Sequence, residues 1–223
     1  MKIIKTVAKK MDVLHSLALE KWYRYGVRRK NKNKNFTIIS NDCWGGRVYM
    51  DLGLEYNSPT VNVFIYSDCY LKLILNLKEY MSCALSFKEN SFYEVANIKR
   101  NETKTHYPIG VLKDIEIHFL HYKDEEECIT KWNKRIERIN YENLFFKFSD
   151  AYLVKEADLY AFDALDLDNK VCFTAKPYEN LKSNIWIKDF KKSDFVLDPF
   201  KYRWQYRKIF NIVKWLNRSF ETK

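Results

Sequence analysis

Glycine and proline are scarce, with five and four residues in a chain of 223. Neither a GxGxxG nor a GxxxxGK[ST] pattern occurs, which leaves a dinucleotide fingerprint and a P-loop without support. The five cysteines (43, 69, 83, 128 and 172) are an odd number with no C-x-x-C pair. That argues against a zinc ribbon or a disulfide framework and for a reducing compartment. No apolar run reaches the eighteen or so residues that span a bilayer. Near the N-terminus Val7-Ala8 gives way at once to Lys9-Lys10, which interrupts a signal-peptide core. A cytoplasmic protein is expected.

Positive charge is missing from the middle of the chain. Residues 1–35 hold 11 Lys/Arg against 2 Asp/Glu, and residues 200–223 hold 7 against 1. The whole chain carries +10, so residues 36–199 are mildly acidic. A nucleic-acid binder concentrates charge on the folded face that docks on phosphate. This distribution argues against one. It divides the chain into a basic N-terminal helix and linker (1–35), an α/β domain (36–199) and a basic C-terminal helix (200–223).

What the chain has in abundance is aromatic residues, 17% of the total. Rings fill cores, and near a cleft they also stack on sugars or bases. Residues 2–30 have helical spacing through Ile4, Val7, Met11, Leu14 and Ala18. Residues 201–220 form a second basic amphipathic candidate. Two such ends point to peripheral contact with an anionic membrane or a biosynthetic complex.

Between the ends, strands are expected at Phe36–Ser40, Thr60–Tyr66, Asp114–Tyr122, Asn143–Phe148 and Lys170–Thr174, with a short one over 182–188. Helices are expected over 70–82, Lys123–Asn140 and Leu153–Leu165, with a helix or structured loop over Trp44–Leu54. Cys83–Lys99 reads as one or two short antiparallel strands. The fold class is α/β, a mainly parallel or mixed sheet flanked by helices.

Three strands end in a Ser-Asp echo: ISND at 39–42, YSD at 66–68 and FSD at 148–150. In an open parallel sheet such ends gather where ligands bind. The stretch FTIISNDCWGG then singles out Cys43 as a nucleophile at a strand-to-helix junction. Gly45 and Gly46 would let backbone approach a ligand closely. In DIEIHFLHY, Glu116 and His118 share the polar face, and His118 is the favoured base, with His106 and His121 as alternatives. Asp150 joins these as a catalytic candidate. Asp68 is placed at a cofactor or ligand, where strand-end aspartates would hold Mg²⁺ with a nucleotide-sugar pyrophosphate. No residue set stands out as a metal site of its own, and no cofactor is identified.

The stretches FTIISNDCWGGRVYMDLGLEYNSPTVNVFI, YPIGVLKDIEIHFLHY, KWNKRIERINYENLFFKFSD and KVCFTAKPY resemble a bacterial family of unknown function. Its members are loosely labelled as exopolysaccharide biosynthesis proteins. The resemblance covers about Phe36 to Lys188 and carries Asn41, Cys43, Gly45, Gly46, Arg47, His118, His121, Arg135, Ser149 and Asp150. It implies an α/β fold and a setting in cell-surface glycan synthesis, without a mechanism. The expected activity is acyl or glycosyl transfer to a sugar or from a nucleotide sugar. The alternatives are a Cys43-dependent hydrolase and a non-catalytic carbohydrate-binding or adaptor protein.

Overall fold

The computed structural model describes residues 2–218, with side chains from His15 onward. Its centre is a parallel sheet built from four short, apolar segments. These are β1 (Thr37–Ser40), β5 (Leu144–Ser149), β6 (Lys170–Thr174) and β7 (Asn184–Trp186), hydrogen-bonded in the order β1-β5-β6-β7. Side chains alternate across a strand, so each strand feeds two cores. Ile38, Phe145, Val171 and Phe173 enter one; Ile39, Phe146, Phe148 and Cys172 enter the other. Strands buried on both faces read as continuous apolar runs rather than as alternation.

One face is covered by α1 (Lys2–Lys30), α2 (Trp44–Leu52), α8 (Arg203–Ile209) and α9 (Ile212–Leu216). Val27, Trp44, Tyr206, Trp215 and Leu216 lie in the same core as Phe36 and Phe145. The other face is covered by α3 (Ser67–Leu75), α4 (Leu77–Met81), α6 (Glu125–Ile136) and α7 (Glu156–Ala164), through residues such as Tyr70, Leu73, Trp132 and Phe162. A second, antiparallel sheet has the order β2 (Ser86–Lys88), β3 (Ile109–Leu112), β4 (Ile115–His118). The helix α5 (Glu94–Thr103) lies between β2 and β3 in sequence. The architecture is therefore a mixed parallel and antiparallel β core flanked by helices, with basic residues near both terminal helices, as the sequence pattern predicts.

Three elements differ from expectation. Thr60–Tyr66 is no regular strand: it turns at its start, Asn62 takes a left-handed φ of 62°, and only Phe64 bridges to His118. It still runs beside β1, since Thr37 Oγ1 donates to the Asn57 carbonyl, Ser40 N–H to Thr60 Oγ1 and Ile65 N–H to the Asn41 carbonyl. Residues 94–103 are helical rather than extended. There Ala96 packs on the Phe64–Tyr66–Tyr93 cluster while Val95 and Ile98 face solvent. The C-terminal segment is two short helices, interrupted at Phe210, whose ring packs on Trp44, Phe173 and Trp215.

The two terminal segments bond to each other and to α2. Asn217 accepts from the N–H groups of Lys32 and Asn33, and Asn33 Nδ2 donates to the Leu216 carbonyl. Glu20 of α1 and Asp51 of α2 are surrounded by Arg24, Arg47, Arg203 and Arg207. Arg207 bridges both carboxylates, at 2.9 Å from Glu20 and 2.6 Å from Asp51. Burial opposes ionisation of Glu20, but Arg207 and Arg203 outweigh it and hold the carboxyl down to about 2. Three basic residues of the two ends, Arg24, Arg203 and Arg207, are thus held by carboxylates within the fold.

Candidate functional site

Ligands of open parallel sheets bind outside the carboxyl ends of the strands. Here a cavity of about 880 Å³ opens at that edge, lined by Asp42 and Cys43 after β1 and by Ala151 and Tyr152 after β5. The loop 195–202 closes one side, α5 contributes Val95, Ala96 and Lys99, and His118 and His121 come from β4 and the turn beyond it. Aromatic rings dominate the wall. Tyr152 stacks obliquely on Phe195 at 4.8 Å and meets Phe64 edge-on at 5.6 Å, and Lys99 sits over Tyr152 at 4.5 Å. Apolar walls with a few convergent polar groups are the usual form of a small-molecule site.

The polar groups form two sets. The first lies at the ends of β1 and β5. Lys147 is fully buried in β5 and pairs with the Asp42 carboxylate; its Nζ is also 3.3 Å from Asn41 Oδ1. Burial pushes the Lys147 ammonium down from its ordinary value, and Asp42 opposes that. Ser149 Oγ donates to Asp42 Oδ2 at 3.0 Å, and Trp44 N–H donates to Asp42 Oδ1 at 2.9 Å. Two of the three Ser-Asp echoes therefore meet physically. The third goes elsewhere: Ser67 donates to Asp158 of α7 at 2.7 Å.

The second set runs along β4. Glu116 and His118, two residues apart, point the same way. His118 Nε2 lies 2.6 Å from Glu116 Oε1, and Nδ1 lies 3.1 Å from the Tyr107 hydroxyl. Ser91 Oγ, Phe92 N–H and Lys88 also reach the Glu116 carboxylate. Burial raises its pKa, but these donors, His118 first, more than offset it and hold the group down to about 2. Burial raises the Tyr107 phenol, which keeps its proton. The result is a line of groups, Glu116–His118–Tyr107, whose last two members line the cavity.

The candidates named from sequence are distributed unevenly over this geometry. Cys43 and His118 both line the cavity. Cys43 Sγ, however, faces the Val63 carbonyl at 3.9 Å, and burial pushes the thiol up to about 12, so it stays protonated. His118 Nδ1 meets the Tyr107 hydroxyl and Nε2 lies beside the Glu116 carboxylate, rather than either meeting Cys43. Gly45 and Gly46 lie inside α2 and are not lining residues. A Cβ at Gly46 would come within 2.7 Å of Asn62 Oδ1 and 3.0 Å of Val61 Cγ1, so glycine here lets α2 approach the 60–66 segment. Asp68 is exposed at the start of α3, accepts from the Tyr93 hydroxyl and stands away from the cavity lining. Asp150 accepts from Ala175 N–H at 2.7 Å and Val196 N–H at 2.8 Å. It therefore anchors the loop that walls the cavity, and burial raises its pKa. His121 lines the cavity and His106 does not. Arg47 belongs to the Glu20–Asp51 network, and Arg135 donates to the Tyr122 hydroxyl and the Val61 carbonyl. Among the described residues no three His, Cys, Asp or Glu side chains converge as a metal site.

Two residues escaped the sequence reading. Lys147 had a signal, a single charge inside the apolar run LFFKFS. Tyr107 had none, because a loop and not a strand delivers it to His118.

The family model of a domain of unknown function, DUF1919, matches residues 16–217. The chain belongs to the DUF1919 family. The matched span takes in β1 through α9 and with them both polar sets of the cavity. An uncharacterized protein of Haemophilus influenzae is 36% identical over 197 residues, covering 86% of this chain and 89% of that protein. The family relationship thus embraces the whole described sheet, including the C-terminal helices that the motif stretches above do not reach.

Proposed function

We propose that this protein is a group-transfer enzyme of cell-surface polysaccharide assembly, working at the cytoplasmic side on a sugar hydroxyl. The observation that carries the reading is the Glu116–His118–Tyr107 line opening on an aromatic cavity at the strand ends. The setting in glycan assembly comes from the resemblance in the motif stretches.

The chemistry follows from the order of the groups. Ionised Glu116 favours a proton on His118 Nε2, which leaves Nδ1 to accept from the Tyr107 hydroxyl. The tyrosine oxygen then has a lone pair for an incoming sugar hydroxyl. As that hydroxyl attacks a glycosyl or acyl donor, the bond from the transferred group to the donor's nucleoside diphosphate or thiol breaks and that group leaves with the bonding electrons, while the hydroxyl proton passes to the Tyr107 oxygen and the tyrosine proton passes to Nδ1. The imidazolium so formed is stabilised by Glu116. The rings of Phe64 and Tyr152 supply flat surfaces for the sugar. A thiol-dependent reaction at Cys43 gets no support from its surroundings. A saccharide-binding role without chemistry draws on the same aromatic wall and differs only in turnover.

Mass spectrometry of products separates the readings. The protein is incubated with UDP-glucose, UDP-N-acetylglucosamine, GDP-mannose or acetyl-CoA together with oligosaccharide acceptors. A transferred group is expected, with His118→Gln and Tyr107→Phe lowering the rate about 100-fold or more, the usual scale of a lost proton-transfer group. Binding of these compounds without product, in the wild type as in the variants, would favour the binding protein. Turnover unaffected by both substitutions would overturn the relay.

A further inference from the structure

The stripe Ile4, Val7, Met11, Leu14 and Ala18 continues in the same helical register through Trp22 and Tyr25. In the described part of α1 this register faces away from the core. Ala18 is exposed, Trp22 is 74% exposed and Tyr25 is 61% exposed, with Leu19 and Leu17 beside them. The helix instead buries its other face, Glu20 and Val27. A surface helix that turns its aromatic residues outward has an apolar face without a partner.

The charges around that face have one sign. Lys21, Arg29 and Lys30 are exposed and form no ion pair among the described residues, unlike Arg24, which is held by Glu20 and Asp51. Residues 1–35 contain only two acids, Asp12 and Glu20, and Glu20 is enclosed by arginines. Parallel pairing with a second copy along the stripe would bring Lys21 against Lys21 and Arg29 against Arg29. An anionic surface satisfies the apolar face and its basic margins together. Trp and Tyr are also the residues that settle at the boundary between headgroups and acyl chains.

We propose that α1 lies flat on an anionic phospholipid surface, with Trp22 and Tyr25 in the interface and Lys21, Arg29 and Lys30 at the headgroups. The helix is not a spanning one: no described helix is long and apolar enough to cross a membrane. The proposal is independent of the chemistry in the cavity. It concerns location, and α1 joins the cavity rim through contacts of Glu20 with Arg203 and of Tyr23 with Trp204, directly after the lining residues Phe200, Lys201 and Tyr202.

The test is flotation of the full chain with vesicles of phosphatidylcholine alone and with about 30 mol% phosphatidylglycerol. Binding is expected on the anionic vesicles only, and brominated acyl chains should quench fluorescence in the wild type more than in Trp22→Phe. Trp22→Ala with Tyr25→Ala, and separately Lys21→Glu with Arg29→Glu, should each weaken partitioning about tenfold or more, given the usual contribution of basic residues at an anionic surface. All four side chains are exposed, so melting temperatures should stay unchanged, and circular dichroism checks that. Failure to bind anionic vesicles overturns the proposal. So does binding that both double variants retain. A dimer in sedimentation velocity that Trp22→Ala with Tyr25→Ala dissociates, with no vesicle binding, assigns the face to a second copy instead.

Discussion

Lys147 is the one charged side chain in β5, and it is fully buried beneath the cavity. A buried ion pair adds little net stability, but removing one partner strands the other charge, at a cost of about 3–5 kcal/mol. Lys147→Met is therefore expected to destabilise strongly in urea unfolding. Adding Asp42→Asn should recover a large part of the loss, because the orphaned carboxylate is gone. Equal instability of the single and double variants would show that the pair does not act as a unit. Cys43 offers a second residue-level expectation. With its thiol neutral and enclosed, it should resist iodoacetamide in the native protein at pH 8, while half-buried Cys83 reacts first. Peptide mapping reads this directly, and rapid labelling of Cys43 would revive the nucleophile.

At the level of single elements, α2 lies closely against the 60–66 segment. Gly46→Ala places a methyl 2.7 Å from Asn62 Oδ1 and 3.0 Å from Val61 Cγ1. Overpacking of this kind costs about 1–3 kcal/mol, so thermal unfolding should shift down by several degrees. An unchanged melting temperature would mean that the helix and segment separate freely. The same pair of elements shows what sequence could and could not convey. The glycines were visible as a demand for close approach, yet what they approach is the protein's own chain. β1, β5, β6 and α6 were legible because apolar periodicity and first-turn carboxylates are local signals. Residues 60–66 and 94–103 were not. Their conformations follow from the bridge of Phe64 to His118 and the packing of Ala96 on Phe64 and Tyr66, which are long-range contacts. His118 with Glu116 was legible from strand parity, whereas Tyr107 joins them only in three dimensions.

For the molecule as a whole, the charge at the two ends is both a structural tie and a surface. Glu20 and Glu116 both have carboxyls held down to about 2 in the folded state, against 4.5 for an unperturbed glutamate. A folded pKa below the unfolded one gives stability that is fully present above about pH 4.5 and lost as pH falls from there toward 2. Wild type should therefore lose stability steeply through that window. Glu20→Gln should be less stable than wild type at pH 7, and the gap should close as pH falls toward 2. A gap that stays constant with pH would show that the Glu20–arginine network is not a source of the acid sensitivity.

The cavity assignment is tested most directly by the crystal structure of the full chain soaked with nucleotide sugars and acceptor oligosaccharides. The predicted result is a sugar against Phe64 and Tyr152 with a hydroxyl within hydrogen-bond reach of the Tyr107 oxygen. A cavity that stays empty at millimolar ligand, or a ligand seated elsewhere on the protein, would contradict it.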